Sequence, residues 1–121
     1  MGGAEGTRIG SWGEQVAADF LHRRGYRVLD RNFACRFGEL DLVAEDRRYL
    51  VFVEVKTRKN GDFALAREAV TPAKQRRILA AAQLWLQLHP RSKQPRFDVV
   101  EVYGEAGRVD RIEHIKNAFE A

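Results

Sequence analysis

The chain contains 121 residues, of which 45% are hydrophobic and 31% are charged. This length and composition are typical of one compact globular domain and exclude disordered and collagen-like proteins. A chain of this size buries roughly two-thirds of the surface that its unfolded form exposes, so its core needs no disulfide or metal. The single cysteine, Cys35, cannot form an internal disulfide, which favours a reducing compartment and predicts a cytoplasmic protein.

The sequence also argues against membrane insertion and export. The longest stretch without charged residues or proline in an apolar region, residues 78–89, is shorter than the roughly 20 residues of a spanning helix. Residues 1–6 lack an apolar signal region, and Gly6 stands where a myristoylation signal has Ser or Thr. We therefore expect neither a membrane anchor nor an export signal.

The charge is mildly basic and unevenly distributed. The 21 Lys and Arg residues exceed the 17 Asp and Glu residues, which gives a formal net charge of +4. Residues 56–77 contain seven basic and two acidic residues, a local net charge of +5. A basic segment of this kind is compatible with a polyanionic partner, although many small proteins share the overall charge.

The first half of the chain predicts a helix followed by three strands. Glycine-rich residues 1–10 predict a mobile arm, which leaves residues 11–121 as the single domain. Trp12, Val16 and Phe20 have the i, i+4, i+8 spacing of an amphipathic helix, predicted over residues 12–24. Three segments predict strands, of which the last two form a hairpin: residues 26–33, 39–44 and 49–56.

The second half predicts a loop, a helix and two strands. Residues 57–70 have no hydrophobic period and predict a loop, where mobility is common. Thr71 as N-cap and Pro72 in the first turn begin the helix, which ends before Pro90. Two strands follow, over residues 97–103 and 109–115. The order αβββαββ predicts an α/β fold in which helices pack on a mixed sheet.

The hairpin separates its side chains into two faces, since successive strand residues point to opposite sides. One face is wholly apolar and consists of Leu40, Leu42, Ala44, Val51, Val53 and Val55. The other face carries Glu39, Asp41, Val43, Leu50, Phe52, Glu54 and Lys56. A loop centred on Asp46 and Arg47 predicts a register that places Glu39 opposite Glu54 and Asp41 opposite Phe52.

That register brings together three carboxylates, those of Glu39, Asp41 and Glu54. Like charges this close raise at least one pKa unless a cation neutralises them. A hard divalent ion such as Mg2+ takes oxygen ligands at this separation, and Lys56 adds a positive charge beside it. A metal ion that activates water and an ammonium that stabilises negative charge together can catalyse the hydrolysis of a phosphodiester. The alternative is a solvated hairpin face whose surface ion pairs contribute little.

Four sequence blocks carry a family resemblance: GSWGE (residues 10–14), GELDLV (38–43), VEVKTR (53–58) and KQRRI (74–78). The second and third blocks resemble the D…ExK signature of the PD-(D/E)xK, restriction-endonuclease-like nuclease superfamily, with Leu40 where the superfamily name has Pro. The four blocks in this order resemble the bacterial YraN-type family of predicted endonucleases, relatives of archaeal Holliday-junction resolvases. The resemblance extends over residues 9–119 and implies a restriction-endonuclease-like fold.

The resemblance also implies roles for the matching residues. Asp41 and Glu54 would be catalytic metal ligands, with Mg2+ or Mn2+ as the cofactor. The Val55 carbonyl would be a further ligand, and Lys56 would be the catalytic lysine. Independently of the resemblance, the basic stretch makes Arg58, Lys74 and Arg77 candidates for phosphate contacts, and the alternative is that these side chains are simply solvated. Gln75 is a further candidate for contact with the nucleic acid. The histidines lack the spacing of a zinc site.

Three side chains keep two interpretations each. Glu14 would be an additional catalytic acid and metal ligand, but Ser11 and Glu14 also have the spacing of a capping box. Gln75 would either touch the scissile phosphate or cap the second helix. Glu39 would be a supporting acid near the metal or an ion-pair partner of Arg58.

The sequence therefore predicts a metal-dependent endonuclease that acts on DNA, with branched or junction DNA as a candidate substrate, by one-step in-line hydrolysis. A symmetric homodimer would present two sites to two strands. The alternative is a noncatalytic nucleic-acid-binding or protein-interaction module that keeps the nuclease fold. Such a module has no need for clustered acids that repel phosphate.

Overall fold

The computed structural model describes residues 4–59 and 70–120. Its elements are α1 (Ala4–Arg23), β1 (Arg27–Cys35), β2 (Gly38–Glu45), β3 (Tyr49–Arg58), α2 (Pro72–Leu88), β4 (Gln94–Glu105) and β5 (Arg108–Phe119). The order αβββαββ confirms the predicted α/β fold class and is consistent with a restriction-endonuclease-like architecture. Most of the loop predicted over residues 57–70 lies outside the described residues, and so does its predicted mobility.

The five strands form one sheet in the order β1-β2-β3-β4-β5. Neighbouring strands are antiparallel except β3 and β4, which run parallel from Tyr49 beside Gln94 to Arg58 beside Tyr103. Parallel strands require a crossover connection, because the chain must return to the starting edge of the sheet. Here α2 lies on that crossover, so its N-terminus follows the end of β3 in sequence.

Each face of the sheet carries one hydrophobic core. On one face Ala17, Phe20 and Leu21 of α1 pack with Val51 and Val53 of β3. On the other face Ile78, Ala82 and Trp85 of α2 pack with Leu50 and Phe52 of the same strand. The face predicted to be polar is thus apolar in its middle, and its charged residues lie toward the end of β3.

Helix α1 begins earlier than predicted. It starts at Ala4 rather than at residue 12, and the stretch 4–10, predicted to be an arm, is helical. The C-terminal half of α1 already packs on the sheet, so each residue added at the N-terminus gains one backbone hydrogen bond. This gain outweighs the low helix propensity of the scattered glycines. Helix α2 begins as predicted, with the Thr71 hydroxyl accepting a hydrogen bond from the Lys74 amide at 3.2 Å.

The hairpin register differs from the predicted one by two residues. Leu42 pairs with Val53 and Ala44 with Val51. If the pairing continued, this register would place Asp41 rather than Glu39 opposite Glu54, but the pairing ends at Leu42. The turn causes the difference: the Asp46 carboxylate accepts hydrogen bonds from the backbone amides of Arg48 and Tyr49, so the loop centres on residues 47–48. The predicted pairings of Glu39 with Glu54 and of Asp41 with Phe52 are wrong.

The predicted alternation also breaks at Leu40. Leu40 packs in the core beside α2, whereas Leu42 packs beside α1. The pairing of β2 with β3 ends at Leu42 and Val53, so nothing enforces the alternation across the pair beyond that point. Beyond it, the Asp41 carboxylate accepts a hydrogen bond from the Val55 backbone amide at 2.9 Å.

Neither helix, within residues 4–59 and 70–120, combines the length and the apolar character that crossing a membrane requires.

We predict that Gly13 permits the close approach of α1 to β3. A Cβ atom at Gly13 would lie 2.3 Å from Cγ2 of Thr57. Gly13→Ala should therefore destabilise the protein by about 1–2 kcal/mol, because the steric cost exceeds the roughly 1 kcal/mol gain in helix propensity. In a Thr57→Ser background, which lacks that methyl group, the same substitution should be neutral or stabilising. A urea-denaturation cycle measures both, and an equal cost in the two backgrounds would contradict the contact.

Candidate active site

Three carboxylates converge where β2 separates from β3. One oxygen from each of Glu14, Glu39 and Asp41 lies within 4.8 Å of the others. Glu14 comes from α1, while Glu39 and Asp41 come from the first half of β2. Glu14 and Asp41 are half-buried and Glu39 is exposed, so the cluster opens to solvent on one side. We call these three residues the acidic cluster.

Glu54 adds a fourth carboxylate in a different setting. It is 7% exposed and lies on the same cavity as Glu39 and Asp41, with a volume of about 240 Å³. Its Oε1 atom is 2.5 Å from Nζ of Lys74 and 3.7 Å from Nζ of Lys56. The site thus combines an acidic cluster with a buried acid that two ammonium groups neutralise.

Burial and charge crowding shift the titration of the cluster. Burial, and then the negative charge of Glu54, raise the pKa of Asp41 to about 8, although the hydrogen bond from the Val55 amide opposes the shift. Burial also raises the pKa of Glu14, with a further contribution from Glu39, while a hydrogen bond with Asn32 works in the other direction. The expected upward shift of at least one carboxyl pKa is therefore confirmed.

The two lysines shift in opposite directions. Burial, and then the neighbouring Lys74, lower the pKa of Lys56. Burial would lower the pKa of Lys74 too, but its hydrogen bond and ion pair with Glu54 raise it. Lys74 is therefore the cation more firmly bound to Glu54, and Lys56 is the more readily deprotonated of the two.

Glu14 is not a capping residue. The capping box needs Ser11 at the start of the helix, but both Ser11 and Glu14 lie inside α1, well after Ala4. The capping interpretation is therefore wrong, and the Glu14 carboxylate joins the acidic cluster instead. The sequence left both roles of Glu14 open, because the helix was predicted to start at residue 12 rather than at Ala4.

Arg58 has a partner that the sequence did not reveal. Its guanidinium forms an ion pair with Glu101 of β4, and the Tyr103 hydroxyl donates a hydrogen bond to the same carboxylate at 3.1 Å. Glu39 lies in the acidic cluster, so the suggested ion pair between Glu39 and Arg58 is wrong. Glu101 is 2% exposed, and a lone acid between valines in a strand is the signal that predicts a buried cation beside it.

The other predicted contacts lie around the start of α2. Gln75 donates a side-chain hydrogen bond to the Val70 carbonyl at 3.0 Å. This bond ties the residue before the N-cap to α2 but satisfies none of the free N–H groups that a cap would accept from. Arg77 is exposed and lines the same cavity as Asp41 and Glu54. Phosphate contacts by these side chains stay predictions, as does metal binding by the Val55 carbonyl.

The acidic cluster suits a hard divalent cation. The three carboxylate oxygen atoms lie within 4.8 Å of one another, so small side-chain movements would bring them to the distances at which Mg2+ or Ca2+ is coordinated, roughly 2.0–2.6 Å. Asp41 is the central member, because the negative charges of both Glu54 and Glu14 act on it. The ligand set is entirely carboxylate oxygen, which favours Mg2+ or Mn2+ over zinc.

We predict that Asp41 makes the metal-free protein less stable as pH rises. Its pKa is about 8 in the folded chain against an ordinary value of 3.8, so between these values only the folded state keeps the proton. The free energy of unfolding should then fall with rising pH. Asp41→Asn cannot titrate but keeps an oxygen that can accept from the Val55 amide.

The measurement is urea denaturation of both proteins in EDTA at pH 5 and pH 8. The parent should lose about 2 kcal/mol more than Asp41→Asn over this interval, an amount reduced from the full single-site value because neighbouring charges interact with Asp41. Parallel losses in the two proteins would show that Asp41 titrates normally.

Comparison with known proteins identifies the family. Residues 13–102 match the model of UPF0102, an uncharacterised protein family. A UPF0102 protein of Pelobacter propionicus is 52% identical over 119 residues, covering 96% of this chain and 85% of the relative. Relatives in Geobacter sulfurreducens and Caldanaerobacter subterraneus are 49% and 44% identical, covering 93% and 92% of this chain and 88% and 93% of the relatives. The chain belongs to the YraN-like UPF0102 family.

Proposed function

We propose that this protein is a divalent-metal-dependent endonuclease that hydrolyses phosphodiester bonds in DNA. The observation that carries the proposal is that Glu39 and Asp41 of the acidic cluster line one cavity with Glu54, while the Lys56 ammonium lies 3.7 Å from the Glu54 carboxylate. Asp41, Glu54 and Lys56 are also the residues that match the D…ExK signature. Mixed α/β folds host many functions, so the argument rests on this site and not on the fold.

The acids would hold the metal. Asp41 is the central ligand, joined by Glu14 and Glu39 of the acidic cluster and by Glu54 of β3. A bound Mg2+ or Mn2+ would polarise a phosphoryl oxygen and lower the pKa of a bound water molecule. Arg77, exposed at the same cavity, would position the phosphate by a charge-assisted hydrogen bond.

Lys56 would act on the reacting phosphate. The Lys56 side chain is 30% exposed, and its ammonium lies 3.7 Å from the carboxylate of Glu54, which lines the cavity. An ammonium held in this position stabilises the negative charge that develops on the phosphoryl oxygens and orients the attacking water. Hydrolysis would be a single in-line displacement with no covalent intermediate. Branched or junction DNA is the substrate that the family resemblance favours.

We expect Lys56→Ala to lower the cleavage rate by orders of magnitude while leaving the fold intact and Mn2+ binding no weaker than in the parent. Lys56 supplies charge rather than packing, since it lies at the margin of the core. Cleavage is measured with Mn2+ on linear, flap and four-way-junction DNA, and circular dichroism reports the fold. Lys116→Ala, which removes an exposed positive charge on β5, is the matched control. Comparable turnover in Lys56→Ala and the parent would remove Lys56 from the mechanism.

We expect Glu54→Gln to abolish cleavage yet to bind DNA in EDTA at least as tightly as the parent. The change removes a negative charge near the bound phosphate and frees two ammonium groups, those of Lys56 and Lys74. A noncatalytic binding module predicts no such separation of binding from cleavage. Binding is measured by fluorescence anisotropy and cleavage with Mn2+. Weaker binding in EDTA would contradict the shared site, and retained cleavage would exclude Glu54 as a ligand.

A further inference from the structure

Lys74 occupies an unusual place in its helix. It lies in the first turn of α2, where the Thr71 hydroxyl accepts a hydrogen bond from its amide. The N-terminus of a helix carries a partial positive charge, so acidic residues are favoured in the first turn and basic ones are not. The first turn of α2 contains no acidic residue. A lysine here lowers helix stability unless an anion compensates it.

The compensating anion is Glu54. The Lys74 ammonium is 2.5 Å from Glu54 Oε1, closer than the Lys56 ammonium at 3.7 Å. The Glu54 side chain is only 8% exposed, whereas that of Lys74 is 34% exposed. The acid is therefore fixed in the core, and the long lysine side chain is the partner that can swing away into solvent or into the cavity that it lines.

We propose that Lys74 is an internal counter-ion that occupies Glu54 in the metal-free protein, and that metal binding displaces its ammonium toward the substrate phosphate. This inference rests on the proposed function and adds a second cation to it. A metal at Asp41 and Glu54 would repel the ammonium that already neutralises Glu54. The displaced ammonium stays tethered to the first turn of α2, beside Arg77, where the positive end of the helix also favours an anion.

In this proposal the metal and the Lys74 ammonium compete for Glu54. This competition distinguishes the counter-ion role from a role in which Lys74 only contacts phosphate. If Lys74 only contacted phosphate, removing its charge would leave the metal affinity unchanged. If Lys74 shaped the site, removing it would weaken metal binding. Competition alone predicts tighter metal binding in a variant that has lost the charge.

The variant is Lys74→Met, which keeps the length and the apolar stem and removes the ammonium. Arg76→Met is the control, because Arg76 lies exposed on the same turn of α2. Mn2+ affinity is measured by isothermal titration without DNA. We expect Lys74→Met to bind Mn2+ at least about tenfold more tightly than the parent, since a positive charge close to a bound cation opposes it even in a high effective dielectric. Arg76→Met should bind as the parent does.

A second measurement tests where the ammonium goes. DNA binding is compared in EDTA and in Ca2+, an ion of similar ligand preference that we use to avoid turnover. We expect Lys74→Met to weaken DNA binding in Ca2+ by several fold more than it does in EDTA, because only a bound metal frees the ammonium. Arg76→Met should have the same effect in both.

The outcomes separate the two proposals. If the parent binds Mn2+ and Lys74→Met binds it equally or more weakly, the counter-ion role is overturned and the nuclease proposal stands. If the DNA-binding loss is equal in EDTA and Ca2+, the displacement is overturned. If neither parent nor variant binds Mn2+, both the counter-ion role and the metal-dependent nuclease are overturned. Tighter Mn2+ binding with a metal-dependent loss of DNA affinity supports both.

Discussion

The parallel pairing of β3 with β4 is the constraint on which the site depends. Because the two strands run in the same direction, the chain between them must cross the sheet, and α2 lies on that path. This crossover places the first turn of α2 against the end of β3. Lys74 therefore meets Glu54 although the two residues are 20 positions apart in the sequence. An antiparallel partner in the position of β4 would need no helix, and the cavity would lose one wall.

The buried acids of the sheet divide into two kinds. Asp98 is fully buried, but Arg96 donates two hydrogen bonds to it, Asn117 donates its backbone amide, and His114 Nε2 lies 2.7 Å from its Oδ2. Burial raises the pKa of Asp98, but these contacts more than offset that effect and hold the pKa below its ordinary value. Asp41 also loses hydration, but it faces other carboxylates instead of cations, so burial and then the charge of Glu54 raise its pKa. A satisfied acid maintains a structure, whereas a crowded acid is characteristic of a binding or catalytic site.

Side-chain parity on the hairpin predicted the main site residues without the correct register. A register shift of two residues leaves every paired side chain on its original face, so parity grouped Asp41, Glu54 and Lys56 correctly although it missed the break at Leu40. Asp41 and Glu54 line one cavity, and Lys56 lies beside Glu54. The register itself depends on how the Asp46 carboxylate folds the turn. Turn residues and periodicity predicted the strand and helix boundaries, and the structure confirms them to within a few residues except at the start of α1.

The contacts that the sequence did not reveal all join distant elements. Arg58 of β3 pairs with Glu101 of β4, and Lys74 of α2 pairs with Glu54 of β3. The topology of the fold decides which of these elements are neighbours. Parity and periodicity describe one element at a time, so they identify a charge that needs a partner but not the partner. In this chain every buried side-chain nitrogen and oxygen atom within residues 12–59 and 70–120 has a hydrogen-bond partner. That completeness is a property of the assembled layers and not of any single segment.

For a protein that binds metal and DNA as proposed, the charges of the site favour metal binding before DNA binding. Four carboxylates, those of the acidic cluster and Glu54, surround two ammonium groups, those of Lys56 and Lys74. With all of them ionised the site is negative and repels phosphate, while a divalent cation brings it close to neutral. Metal binding then increases the affinity for DNA, and by thermodynamic linkage DNA increases the affinity for metal by the same factor. A site built in this way holds its substrate tightly only when the metal needed for hydrolysis is already present.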